Sequence, residues 1–127
     1  MNPKSYIDSH KQRMLDELFE LLRIPSISAD PAYNDAVAQC ADHIAAHMKG
    51  LGIQNVSIYP TKGHPIVYGE FLVDASLPTV LVYGHYDVQP ADPIELWDND
   101  PFDPIIKTTE IHPEGAIFAR GACDDKG

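Results

Sequence analysis

Thr79-Val80-Leu81-Val82-Tyr83 is a compact β-branched and aliphatic run that leads straight into Gly84-His85-Tyr86-Asp87. A run with no polar alternation suits a strand buried on both faces. Such strands occur inside mostly parallel sheets covered by helices. The segments before it supply helices. Met14, Leu15, Leu18, Leu21 and Leu22 share one helical face, which predicts a helix over 5–23 that Pro25 ends. Val37, Cys40, Ala41, Ile44, Met48 and Leu51 mark a second helix over 33–50, with Gly50 and Gly52 as stop signals. Beyond them the period falls to two. Strands are predicted at 55–59 and 66–72 around a Pro60–Pro65 turn, with brief ones at 105–107 and 116–119. The expected fold class is α/β, helices packed on a mixed, mostly parallel sheet.

In open sheets of this kind, ligands gather beyond the carboxyl ends of central strands. His85 sits at that point, and imidazole is a common zinc ligand. Asp87, two residues on, projects to the same side and can accept from the other ring nitrogen, which raises ligand basicity. Gly84 is expected to let the backbone approach closely. A second cluster, Ala119-Arg120-Gly121-Ala122-Cys123-Asp124-Asp125-Lys126-Gly127, places two carboxylates in a row after a short strand. Adjacent carboxylates repel unless a cation or water screens them. Taken singly, each cluster also reads as a polar turn without a metal.

Nineteen acidic and nine basic residues give a net charge of −10, which argues against nucleic-acid or anionic-lipid partners. Asp92, Glu95, Asp98, Asp100 and Asp103 crowd one loop that reads as a solvated surface. The opening MNPKSYIDSHKQRM holds no apolar signal core, and no run approaches a membrane span. With two cysteines, Cys40 and Cys123, and no secretory signal, a reduced, cytoplasmic protein is expected. Cys123 reads as a small buried filler beside Asp124. His43 and His47 lie four apart on the second helix, but no Glu adjoins His43, so both read as boundary residues. His10, His64 and His112 show no partner pattern. No Gly-x-Ser-x-Gly elbow or phosphate loop is present.

Together the clusters resemble a dizinc metallopeptidase family that includes carnosinase-like dipeptidases, aminoacylases and succinyl-diaminopimelate desuccinylase. Four segments carry the likeness, in order: Leu21-Leu22-Arg23-Ile24-Pro25-Ser26-Ile27-Ser28, Tyr83-Gly84-His85-Tyr86-Asp87-Val88-Gln89-Pro90, Trp97 with Pro101-Phe102, and Ala119 to Gly127. The resemblance implies His85 as a ligand of one metal, Asp87 as its partner with a catalytic role, and Asp124 as a carboxylate bridging two zinc ions. Other divalent metals such as manganese or cobalt are alternatives. It also implies a cis bond between Asp124 and Asp125, an outer-shell or surface place for Asp125, and a helix opening at Lys126 and Gly127. The complete protein is then expected to hydrolyse dipeptides as a homodimer. N-acyl amino-acid deacylation and a non-catalytic module on the same fold are the alternatives. The family's Glu-Glu pair, further acidic ligand and late His are absent from the 127 residues. The chain therefore reads as an N-terminal portion of the catalytic domain, cut at its second metal motif and inactive alone, since two ligands do not close a zinc site. The 107–115 segment reads as a surface elaboration.

Overall fold

The structure, a computed structural model, describes residues 2–124. They fall into two compact units, Ile24–Pro90 and Met1–Arg23 with Ala91–Gly127, and each is treated by itself.

The Ile24–Pro90 unit is built on one helix and one hairpin. A 3-10 turn at Pro31–Tyr33, whose first amides are capped by the Asp30 side chain, leads into helix α1 (Asn34–Gly50). This helix buries Val37, Cys40 and Ala41 of the expected stripe together with Ala45, while Ile44 and Met48 are half-buried and Leu51 is exposed. Its stop is set by Gly52, which adopts φ +80°. The Gly52 amide returns to the Lys49 carbonyl and the Ile53 amide to that of Met48, both at 3.0 Å, closing the last turn. A left-handed residue is required at that position, and glycine takes it without steric cost.

Strands β1 (Gln54–Tyr59) and β2 (Ile66–Glu70) then form an antiparallel pair on which α1 packs. Register slips between Gln54 and Ser57, beside Asn55 at φ 49°, a bulge of the sort that Asn tolerates. On β2, Gly69 faces the helix closely. A Cβ there would lie 2.5 Å from Met48 Cε and 2.7 Å from Ile53 Cγ2, so only glycine lets helix and hairpin meet without displacement. On the hairpin's open side, hydrogen bonds from Asn55 and Tyr68 hold the Glu70 carboxyl below the usual carboxylate range.

In the other unit, an N-terminal helix (Pro3–Leu22) begins at an Asn2 cap that accepts from the Lys4 amide at 2.9 Å and ends in a fully buried Leu22. Strands β3 (Ile105–Lys107) and β4 (Ala116–Phe118) pair antiparallel, and the exposed 108–114 link between them fits a surface elaboration. Among the described residues no helix is long and apolar enough to cross a membrane.

The mixed helix-and-sheet class holds, but the mostly parallel sheet does not. Both sheets are two-stranded and antiparallel, and the parallel contact in the described residues is an isolated bridge between Ile27 and Val88. The predicted strand at 79–83 is absent from the sheets, and Val80, Leu81, Val82 and Tyr83 are 80–89% exposed. A strand buried on both faces needs backbone partners on both edges, and the described residues offer this run none.

Candidate metal centre

His85 lies in the Ile24–Pro90 unit, where the segment that carries it is braced by the residues that follow Arg23. Pro25 cannot continue a helix, and the chain coils through two three-residue turns, Ser26 amide to Ile24 carbonyl and Ile27 amide to Pro25 carbonyl, both 2.8 Å. Ile24 and Ile27 are buried, and Ser26 is wholly enclosed with them. A buried hydroxyl needs a partner. Ser26 finds one in the Tyr86 carbonyl at 2.7 Å, while its own carbonyl accepts from the Val88 amide at 3.0 Å. The Cys40 thiol approaches the same Tyr86 carbonyl at 3.6 Å, and the Tyr86 hydroxyl donates to the Pro65 carbonyl at 2.6 Å. Burial pushes the Tyr86 phenol above its ordinary range. The residues on both sides of Tyr86 are thereby pinned to the body of the unit.

On that frame His85 Nδ1 faces two oxygens of Asp87, the side-chain Oδ1 at 3.0 Å and the backbone carbonyl at 3.2 Å. The backbone carbonyl can only accept, so Nδ1 carries the proton. In the neutral ring Nε2 then holds the lone pair, the state a metal ligand requires. The other Asp87 oxygen, Oδ2, accepts from the Ser28 hydroxyl at 2.5 Å. That hydrogen bond first, and the neighbouring His85 ring after it, hold the Asp87 carboxyl below the usual carboxylate range. The sign follows: the ionised carboxylate persists through neutral pH, and its contribution is lost only as pH falls through the depressed value. About a third of the His85 side chain is exposed, at 33%, so the ring is fixed yet reachable. His85 thereby offers one imidazole donor of the kind a divalent metal takes.

Asp124 lies in the other unit, in the turn after β4. The approach to it is anchored at Arg120, whose amide donates to the Pro101 carbonyl at 2.7 Å and whose guanidinium lies 5.1 Å from the Trp97 ring centroid. Trp97 is itself fixed through its indole N–H to the Ala91 carbonyl at 2.8 Å. This explains why Trp97 and Pro101 accompany the second cluster in the sequence. Gly121, at φ +85°, then turns the chain so that Asp124 is exposed. Asp125, Lys126 and Gly127 lie outside the described residues, as do the expected cis bond after Asp124 and the helix expected to open there.

Two local expectations are corrected. Cys123 is exposed and not a buried filler, because the turn carries it outward with Asp124. Gly84 has nothing within 4 Å of where a Cβ would stand, so close approach is not its reason. His43 is half-buried and His47 exposed on α1, and among the described residues no group of three or more His, Cys, Asp or Glu gathers for a metal. Sequence reasoning missed Ser26, Ser28 and His64. The last, assigned no role by pattern, donates from Nε2 to the Ser28 carbonyl at 3.1 Å. The signal for the serines was their place on either side of Ile27 in an otherwise apolar segment, since small hydroxyls there must bond to something specific.

Residues 81–127 match Peptidase family M20/M25/M40. Over 95% of its length the chain is 35% identical to a Cys-Gly metallodipeptidase of Schizosaccharomyces pombe, covering 26% of that protein. It is 32% identical to the mouse Beta-Ala-His dipeptidase over 96% of the chain and 26% of the relative. Among solved structures, the dipeptidase Dug1p from Saccharomyces cerevisiae superposes with a TM-score of 0.83 at 31% identity, over 94% of this chain and 26% of that one. An M20 family metallo-carboxypeptidase from Sulfolobus solfataricus gives 0.68 at 34% identity, over 99% and 24%. The chain spans about a quarter of the length of the curated relatives it matches.

Proposed function

We propose that this chain, whose residues 81–127 match Peptidase family M20/M25/M40, belongs to that family, and that, joined to the rest of the relatives' length, it hydrolyses dipeptides with bound zinc. The observation that carries the reading is the His85–Asp87 pair, a ring held with Nδ1 protonated. Relatives described as dipeptidases supply the substrate class. His85, through Nε2, and Asp124, through its carboxylate, are the residues of this chain that would hold the metal. Zinc, when bound, supplies Lewis acidity toward the scissile carbonyl and lowers the pKa of the attacking water. Asp87 keeps the ring in one tautomer and one orientation while charge builds at the reacting centre. The glutamate that takes the proton is not among these residues, and the 127-residue chain alone is proposed to be inactive. The same reading places the protein as a homodimer in the cytoplasm, where the Cys40 and Cys123 thiols remain reduced.

The test is hydrolysis of Cys-Gly and β-Ala-His by a protein that carries the full length. Turnover is expected to vanish with a chelator and return on adding zinc, with N-acetyl amino acids cleaved far more slowly. Preferred cleavage of N-acetyl amino acids would make it a deacylase. No cleavage of either class by the zinc-loaded protein would leave a non-catalytic module.

A further inference from the structure

We propose that Ser28 is a positioning residue for the metal site, acting on His85 through Asp87; the proposal rests on His85 being a metal ligand. The Asp87 carboxylate uses its two oxygens on opposite partners, Oδ1 on His85 Nδ1 and Oδ2 on the Ser28 hydroxyl. A carboxylate anchored at one oxygen can still swing about its terminal torsion, which is soft. Anchoring the second oxygen removes that freedom, and with it the freedom of the imidazole to tilt. Ser28 can do this because it is held too. Its carbonyl accepts from His64 Nε2 at 3.1 Å, and the preceding residues are tied to the site by the Ile27–Val88 bridge and the Ser26–Tyr86 bond. A serine serving only its own loop would turn its hydroxyl to a nearby backbone group. This one reaches a side chain 59 residues away.

The experiment measures zinc affinity of the full-length protein by competition with a chromophoric chelator, independent of turnover. Ser28→Ala is expected to weaken zinc by about 10-fold, the low end of the effect of losing an outer-shell partner, because Ser28 bonds Asp87 and not the ligand itself. Ser28→Thr, which keeps the hydroxyl, should stay within about threefold of the parent. Placed on Asp87→Ala, the Ser28→Ala change should add nothing, whereas a merely structural role would add its cost regardless. Should Ser28→Ala not fold, Ser28→Cys keeps the shape with a much weaker donor and is read in the same way. Unchanged affinity in Ser28→Ala, beside a large loss in His85→Ala, overturns the positioning role alone. Unchanged affinity in His85→Ala overturns the ligand reading beneath it.

Discussion

Replacing His85 with alanine in the full-length protein is expected to lower dipeptide turnover about 10³-fold or more, roughly 4 kcal/mol of lost transition-state stabilisation. The size follows from what the side chain is prepared to do. Its ring is fixed by two oxygens of Asp87, and it is the tautomer with the lone pair on Nε2. Alanine removes the donor outright and leaves the Asp87 carboxylate without its imidazole. Stability should fall by only about 1 kcal/mol, the size of a lost part-buried hydrogen bond. Parallel measurements of kcat/KM, bound zinc and the urea midpoint check all three parts. Loss of turnover with an equally large loss of stability would mean that His85 holds the fold and not the metal.

A comparable loss is expected for Asp124→Asn, about 10² to 10³-fold in turnover with bound zinc falling from two ions toward one. Asparagine has nearly the same shape, so the change isolates charge and the second acceptor oxygen. A carboxylate can share its oxygens between two cations, and an amide cannot. Asp124 is exposed in a turn whose approach is anchored at Arg120, Pro101 and Trp97, and the substitution preserves the side chain's size. The folded state should therefore be retained. Zinc content by elemental analysis is the decisive readout, and two ions retained in Asp124→Asn would remove the bridging role.

Much of the local structure was legible because its signals are local. The 3.6-residue period gave both helices, and Pro25 and Gly52 set ends that the sequence itself marks. The period-two runs gave all four strands. The failure at 79–83 is of another kind. Thr79-Val80-Leu81-Val82-Tyr83 has high β propensity, yet propensity expresses only how well a residue suits a pleated surface. Whether a strand forms depends on another backbone to pair with, and nothing in five residues encodes that partner. The same divide runs through the site. His85 and Asp87 are two residues apart and could be paired on paper, whereas Ser28 meets Asp87 across 59 residues and His64 meets Ser28 across 36. Contacts of that range are made by the fold, and a single sequence shows only their raw material.

The central claim is that the imidazole at 85 and the carboxylate at 124 serve one metal pair. Its most direct test is a crystal structure of the zinc-loaded, full-length protein with anomalous data collected at the zinc edge. The account predicts two adjacent anomalous peaks, one bonded to His85 Nε2 and both bonded to the Asp124 carboxylate. Peaks that leave either side chain uncoordinated, or that place the two on separate, distant ions, would contradict it.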